Sequence, residues 1–139
     1  MEFQQLVEQS KFIEATYHVS SDVYYSFQRI SNDYNPLHTD EAFAKKKGFP
    51  KRVMYGNILN VFVSHFVGMT LPSRDVMIQT QDIQFRKPVF LNDIILLKSE
   101  IDSVSEAVEV INFKLKFYRI EEDKNVLVAS GHVQIGTLK

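Results

Sequence analysis

The fold of this chain depends on one apolar stretch, Gly56-Asn57-Ile58-Leu59-Asn60-Val61-Phe62-Val63-Ser64-His65-Phe66-Val67-Gly68-Met69-Thr70-Leu71-Pro72. Its large apolar side chains recur at three- and four-residue spacing, which is the pattern of a helix with a wide apolar face. The residues from Val53 to Thr70 include no Asp, Glu, Lys or Arg, so little of this helix can face water. We therefore predict a buried central helix that ends at Leu71-Pro72.

Four β-strands are predicted after this helix, over residues 76–90, 94–104, 107–120 and 125–135. Their connections are short and turn-like, which favours antiparallel pairing. In the third of these strands the apolar alternation slips between Val110 and Ile111, which indicates a β-bulge. The simplest compact arrangement of these parts wraps the sheet around the helix, and this is the α+β architecture called the hotdog fold.

Shorter elements are predicted before the central helix. Residues 11–20 have a strand pattern, and Ser20-Ser21-Asp22 offers an N-cap for a short helix. Residues 31–36 are mostly of turn-forming types and predict a loop. Thr39 is then predicted to cap a helix with acidic residues in its first turn, lysines in its last turn and Gly48 just beyond it.

Length and composition predict a single globular domain over residues 1–139. Apolar residues form 45% of the chain and charged residues 24%, which is typical of soluble proteins. The net charge of -1 provides no general field that would attract nucleic acid or an anionic membrane. The chain has no cysteine, its first residues lack a signal-peptide pattern and no apolar run reaches membrane-spanning length. We therefore expect a cytoplasmic protein without disulfides.

The segment Ser31-Asn32-Asp33-Tyr34-Asn35-Pro36-Leu37-His38 carries the candidate chemistry. A carboxylate at Asp33 and an imidazole at His38 could share one water, which suits the addition of water to a polarised double bond. The residue types alone favour a simpler interpretation, in which Asp33 and Asn35 form side-chain turns and His38 covers the start of the next helix. No metal site is predicted, because His38 and Ala44 stand where a calcium loop needs Gly and Glu.

A resemblance to a known family decides between these interpretations. The segment resembles the signature Ser-Gly-Asp-x-Asn-Pro-Leu/Ile-His-x-Asp of MaoC-like dehydratases and (R)-specific enoyl-CoA hydratases, with Asn32 in place of the Gly. Residues 53–57 are similar to the start of the family's central helix, where Tyr55 replaces a His and Gly56 matches. Residues 85–93 are similar to the family's Phe-x-x-Pro-Val-x-x-Gly-Asp. The resemblance therefore covers nearly the whole chain.

The resemblance implies reversible hydration of a trans-2-enoyl thioester to an (R)-3-hydroxyacyl thioester, on coenzyme A or an acyl carrier protein. It assigns activation of the water to Asp33, and orientation of that water and supply of the α-proton to His38. The Gly56 amide would bind the developing enolate oxygen, which also suits an exposed amide at a helix N-terminus. The alternative is that Gly56 only permits close packing.

Other residues are predicted to assist. Asn35 and Ser64 would support the site, although a Ser on an apolar helix often only bonds the backbone one turn back. Tyr55, Arg86 and Lys87 would contact the substrate, the two cations by meeting phosphates of coenzyme A or pantetheine. No metal or redox cofactor is expected, since coenzyme A or pantetheine enters as part of the substrate. The family closes its site at a dimer interface, so the resemblance also implies a homodimer.

Two other functions are compatible with the same fold. Hotdog thioesterases and the dehydratases of fatty-acid synthesis commonly carry a catalytic carboxylate on the central helix, and this helix has none. A non-catalytic acyl-thioester-binding subunit of a heterodimer would not need both Asp33 and His38. The sequence therefore favours the hydratase and leaves the acyl chain length and the pathway open.

Overall fold

A computed structural model describes residues 1–139. Its helices are α1 (Phe3–Gln9), α2 (Ser21–Ser31), α3 (Pro36–Thr39), α4 (Glu41–Lys46) and α5 (Ile58–His65), and α5 continues as a π-helical turn over Phe66–Thr70. Its strands are β1 (Phe12–His18), β2 (Val76–Phe85), β3 (Ile94–Ser105), β4 (Val110–Ile120) and β5 (Asn125–Thr137). The predicted order of elements is confirmed, and α1 is an addition that the sequence patterns did not indicate.

The five strands form one antiparallel sheet in the order β1-β3-β4-β5-β2. Consecutive strands β3, β4 and β5 are neighbours, as their short connections predicted. The pairing predicted for β2 with β3 from their short connection is wrong, because β2 lies at the far edge of the sheet. The pairing of β1 with β3 and of β2 with β5 brings together segments that lie far apart in the chain. As a result β1 and β2 form the two edges of the sheet.

The central helix α5 packs against one face of this sheet. Its buried side chains join alternate residues of β3, β4 and β5 in one apolar cluster of 23 residues. Phe66 meets Phe113 of β4 edge to face, with 6.2 Å between the ring centroids. Burial of one such side chain contributes about 1.5–3 kcal/mol to stability. The structure therefore confirms the predicted hotdog arrangement, in which the sheet covers the apolar helix.

Strand β2 is shorter than the sequence pattern predicted, because it ends at Phe85 rather than at Phe90. The amides of Arg86 and Lys87 both donate to the carbonyl of Val128, at 2.8 and 3.0 Å, which ends the regular ladder. Pro88 has no amide hydrogen to continue the ladder. Residues 86–93 therefore form a loop beside the start of α5.

The bulge predicted between Val110 and Ile111 is wrong. These residues pair in register with Ser105 and Val104, and Val110 points to the more exposed face while Ile111 is buried. The register shifts of the sheet lie elsewhere, at Ile101/Ser103 in β3, at Ile78/Thr80 in β2 and opposite Phe117/Tyr118 in β5. Two apolar neighbours in β4 therefore occupy opposite faces without interrupting the ladder.

The predicted cap at Thr39 is also corrected. Thr39 is the last residue of α3, and its hydroxyl donates to the carbonyls of Tyr34 and Asn35 at 3.3 and 3.2 Å. The residue that caps α4 is Asp40, whose carboxylate accepts from the amide of Phe43 at 3.2 Å. The segment between α2 and α5 is thus two short helices, each with its own side-chain cap.

Candidate active site

A cavity of about 440 Å³ opens at the N-terminal end of α5. Four of the residues predicted for the site line it: His38, Gly56, Arg86 and Lys87. Half of its twelve lining residues are hydrophobic, among them Leu59 of α5. The cavity therefore combines an apolar wall with an imidazole and a helix start, which is the usual character of a small-molecule site.

The backbone and ring of His38 are both held in place. Its Nδ1 lies 2.7 Å from the carbonyl oxygen of Val53 and donates to it, because a carbonyl can only accept. The carbonyl of His38 accepts from the hydroxyl of Tyr24 at 2.7 Å. The bond at Nδ1 leaves Nε2 as the nitrogen available to a ligand or water.

Asp33 lies in the exposed loop between α2 and α3. Its Oδ1 accepts from the amide of Asn35 at 3.0 Å, and its own amide donates to Ser31 Oγ at 3.2 Å. This is the side-chain turn that the residue types alone suggested. Oδ1 is thus engaged locally, and no hydrogen bond within the chain engages Oδ2.

The two asparagines beside Asp33 explain how the loop is built. Asn32 ends α2 in the left-handed conformation, with φ 55° and ψ 29°. Asn tolerates this conformation better than most residues, which accounts for its presence where the family signature has Gly. The side chain of Asn35 caps α3 by accepting from the amide of Leu37 at 3.0 Å. Asn35 therefore caps the short helix that carries His38, and its supporting role in the site stays a prediction.

Tyr55 lies behind the cavity rather than in its lining. Its side chain is 3% exposed, and its ring centroid lies 4.2 Å from that of His38. Its hydroxyl donates to the carbonyl of Asp33 and accepts from Gln28 Nε2, the latter at 3.2 Å. Burial raises the pKa of the Tyr55 hydroxyl above its usual value, so the phenol stays neutral and remains a donor.

Gly56 stands at the start of α5, where the cavity begins. No group of the chain accepts a hydrogen bond from its amide. A Cβ at this position would lie 3.0 Å from the ring of Phe85, so the lack of a side chain also allows close packing. Both interpretations of Gly56 therefore have a structural basis. The available amide suits an oxyanion donor, and the tight contact with Phe85 suits a packing role.

Ser64 is not brought to the cavity. It lies eight residues after Gly56 on α5, or about 12 Å along a helix axis, and it is exposed. Ser64 does not line the cavity within this chain, so its supporting role stays a prediction.

Two residues of α2 complete the site, and the sequence patterns did not single them out. Tyr24 is buried and bonds the carbonyl of His38, while Gln28 bonds the hydroxyls of both Tyr24 and Tyr55 at 3.2 Å. The only signal in the sequence is that both positions fall on one face of a helix, four residues apart. That spacing does not reveal what the face contacts.

Comparison with known proteins identifies the family of this chain. The family model described as the MaoC like domain matches residues 2–121. The chain belongs to the MaoC-like domain family. The predicted resemblance is thereby confirmed, and the segment Ser31–His38 lies within the matched region.

Two curated relatives of this MaoC-like chain are acyl-thioester enzymes by name. An (R)-specific enoyl-CoA hydratase of Aeromonas caviae is 32% identical over 81 residues, which are 58% of this chain and 60% of that protein. A 3-hydroxybutyryl-CoA dehydratase of Methylorubrum extorquens is 35% identical over 82 residues, which are 59% of this chain and 52% of that protein. The match thus spans only about half to three fifths of each relative.

A solved structure shares the whole fold of the MaoC-like chain. The (R)-hydratase from A. caviae involved in PHA biosynthesis aligns with a TM-score of 0.81, over 94% of this chain and 96% of that one, at 22% identity. This confirms the hotdog fold. No helix of the structure is both long enough and apolar enough to cross a bilayer.

Proposed function

We propose that this chain catalyses the reversible addition of water to a trans-2-enoyl thioester, giving an (R)-3-hydroxyacyl thioester. The observation that carries this proposal is that one cavity is lined both by His38, whose Nδ1 is bonded to Val53, and by Gly56, whose amide has no acceptor within the chain. A proton-transfer group and an oxyanion donor at one apolar site are what this reaction needs. The names of the curated relatives support the same reaction class.

In the hydration direction Asp33 removes a proton from water as its oxygen bonds to the β-carbon of the enoyl group. The electrons of the double bond move toward the thioester carbonyl, whose oxygen is stabilised by the Gly56 amide. In this step both ring nitrogens of His38 carry a proton: the Nδ1 proton stays hydrogen-bonded to the Val53 carbonyl, and the Nε2 proton goes to the α-carbon. The proton that Asp33 took from water then passes to His38, which restores both residues. The addition of water to the enoyl thioester involves no net oxidation or reduction, so the reaction requires no redox cofactor. The roles proposed for these residues require no metal.

The connection between Asp33 and the cavity runs through Tyr55. The Asp33 carboxylate is not among the cavity-lining groups, but its main-chain carbonyl is bonded by the tyrosine whose ring packs on His38. The buried side chain of Tyr55 thus contacts both the backbone of Asp33 and the ring of His38. A rotation of the exposed Asp33 side chain, or the arrival of substrate, completes the pair in this proposal.

The functional unit we propose is a homodimer in the cytoplasm. Strand β2 is an edge strand, and Met77 and Phe85 on it are 53% and 54% exposed. Val61 and Met69 on α5 are also more than one third exposed, at 43% and 58%. A second copy across this edge would cover apolar surface beside the cavity. Sedimentation velocity of the purified protein tests this assembly directly.

An enzyme assay tests the reaction. The purified protein is mixed with crotonyl-CoA and longer enoyl thioesters, on coenzyme A and on a carrier protein, and loss of the enoyl absorbance is followed. Asp33→Asn and His38→Ala should each lower kcat by about 10²- to 10⁴-fold. Asp123→Asn and His18→Ala, at exposed positions away from the cavity, are the matched controls.

Three results of that assay would reject the proposal or part of it. Absence of turnover on every thioester of both carriers rejects the hydratase and favours a non-catalytic acyl-thioester-binding subunit. Release of free thiol without loss of the double bond indicates a thioesterase. Near-normal kcat in either site variant shows that its residue does not have the assigned role.

A further inference from the structure

Asn57 lines the candidate active-site cavity directly after Gly56, and the reaction described above gives it no role. It stands at the N-cap position of α5, where an Asn side chain usually accepts a hydrogen bond from a backbone amide of the first turn. Here the side chain makes no such cap bond. Its carboxamide is therefore engaged in something other than starting the helix.

Two further amide side chains hold the carboxamide of Asn57. Its Oδ1 accepts from Asn60 Nδ2 at 2.8 Å, and Asn60 Oδ1 in turn accepts from Nε2 of Gln81 on β2. Residues three apart on a helix are neighbours on its surface, so this row of amides runs from the edge strand to the start of α5. Each hydrogen bond orients the next amide, and the row ends at Asn57.

The free end of the amide row is Asn57 Nδ2, which donates to no group of the chain. The oxygen and nitrogen of a carboxamide diverge, and Oδ1 is bonded to Asn60 further along α5, so Nδ2 is directed away from Asn60. Side chains of a helix also tilt toward its N-terminus, where the Gly56 amide has no acceptor either. Consecutive Cα atoms are only about 3.8 Å apart, so both donors are within reach of one small group.

The lining of the cavity favours a negatively charged group at this place. It includes the cations Arg86 and Lys87 and no Asp or Glu. The only carboxamide oxygen of the lining, Asn57 Oδ1, is already occupied by Asn60. An oxygen that gains negative charge during a reaction is therefore the group that these donors fit best.

We propose that the Asn57 side chain is a second donor to the thioester carbonyl oxygen, beside the Gly56 amide. The proposal rests on the proposed function, in which the electrons of the enoyl double bond move onto that oxygen. The enolate oxygen accepts from both donors, and neither donor gives up its proton. When the α-carbon takes its proton from His38, the charge leaves the oxygen and both hydrogen bonds weaken. In this proposal Asn57 is a catalytic residue, and Asn60 and Gln81 are positioning residues.

A ligand that is not hydrated tests the donor without turnover. 3-Oxobutyryl-CoA has no double bond to take up water, and loss of its α-proton gives an enolate with its own near-ultraviolet absorbance. Wild-type protein should shift the bound ligand toward the enolate, relative to free ligand at the same pH. Asn57→Ala should lower the ratio of enolate to keto form about 10²-fold, the effect of removing one oxyanion donor.

Asn112→Ala is the matched control for this ligand experiment. It loses a side-chain hydrogen bond to Ser103 at a site away from the cavity, and it should keep the wild-type ratio. A wild-type protein that fails to bind the ligand, or that binds it only in the keto form, overturns the proposal. An unchanged ratio in Asn57→Ala does so as well.

Asn57→Asp separates a catalytic role from a structural one. A carboxylate at the start of a helix suits the helix dipole, so Tm should stay constant or rise. The same carboxylate puts an anion beside the enolate oxygen in place of a donor, so kcat on crotonyl-CoA should fall by about 10²-fold or more, with KM little changed. A raised KM at unchanged kcat, or a loss of activity matched by a loss of folded protein, overturns the proposal.

Gln81→Leu tests the positioning role of the amide row. It releases Asn60 and should lower the enolate ratio of the bound ligand about tenfold. Gln79→Leu, on the same strand and bonded to Gln134 at 2.6 Å outside the cavity, is its matched control. Equal ratios in these two variants overturn the role of the row. If the enolate forms but crotonyl-CoA is not hydrated, the proposed function fails and the ligand experiment alone decides on Asn57.

Discussion

The hydroxyl of Tyr55 donates a hydrogen bond to the main-chain carbonyl of Asp33. The same tyrosine packs its ring against His38, with 4.2 Å between the centroids. A single buried side chain therefore contacts both residues to which the resemblance assigns the proton transfers. Because its neighbours Gln28 and Tyr24 belong to α2, the relative position of the acid and the base depends on how that helix packs against the start of α5.

Replacement of Tyr55 by Phe should lower kcat markedly and lower the thermal stability only slightly. The variant keeps the ring on His38 but loses the bonds to Asp33 and Gln28, which are worth about 1 kcal/mol each. We expect Tm to fall by a few degrees and kcat by about tenfold, with KM little changed. Steady-state kinetics and thermal unfolding measure both effects. Tyr25→Phe, at an exposed position of the same helix as Gln28, is the control, and an unchanged kcat in Tyr55→Phe would contradict a positioning role.

The unfolding of the protein should respond to pH through Asp93. Burial raises the pKa of this carboxyl above 3.8, even though the Phe90 amide at 2.8 Å and Arg119 at 3.7 Å favour its ionised form. Because the folded-state pKa is raised, the contribution of Asp93 to the free energy of unfolding is fully present below pH 3.8. It is lost as the pH rises through the folded-state pKa. Asp93→Asn should therefore gain stability relative to wild type as the pH increases above about 4.

Urea unfolding of wild type and Asp93→Asn at several pH values measures this difference. Asn at this position still accepts from the Phe90 amide, so the variant isolates the titration. Asp123→Asn, in the exposed turn between β4 and β5, should follow the wild-type curve. A difference between wild type and Asp93→Asn that does not change with pH would show that Asp93 titrates as an ordinary carboxylate.

A methyl group at Gly56 should disturb the candidate active-site cavity. Ala keeps the amide, but its Cβ would stand 3.0 Å from the Phe85 ring, closer than carbon atoms normally approach. The exposed ring can move, so the change should cost little stability and should lower kcat/KM about tenfold or more. Adding Phe85→Ala removes the clash and should recover part of the loss. Wild-type kcat/KM in Gly56→Ala alone would show that this contact does not shape the site.

The contact of α5 with the sheet should dominate the stability of the fold. Phe113 is fully buried against Phe66, and its replacement by Ala should lower the free energy of unfolding by about 3–5 kcal/mol. Phe12 on the edge strand β1 is 78% exposed, so Phe12→Ala should change it by less than about 0.5 kcal/mol. Equilibrium urea unfolding compares the two variants. Equal losses would mean that the cluster around α5 is not the main source of stability.

Local patterns predicted most elements, and failed where distant partners set the boundaries. The spacing of apolar residues in α5 and the alternation in β4 are properties of neighbouring residues, so both elements were predicted. The strand β4 nevertheless begins at Val110 rather than at residue 107, and the bulge predicted within it does not occur. The end of β2 was placed five residues too late, because the acceptor that ends it is Val128 of another strand. The cap of α4 was misplaced by one residue, because the Thr39 hydroxyl finds acceptors in the preceding turn.

The sequence by itself determined the family, the hotdog fold and the candidate acid and base, since apolar periodicity and a contiguous signature are both read along the chain. Only the tertiary structure showed that Tyr55 packs on His38, that Ser64 stays away from the cavity and that Arg86 lines the same cavity as His38 and Gly56. Those relationships arise from strand order and helix packing. They join residues that are distant in sequence, and the free energy that selects them belongs to the whole core rather than to any one segment.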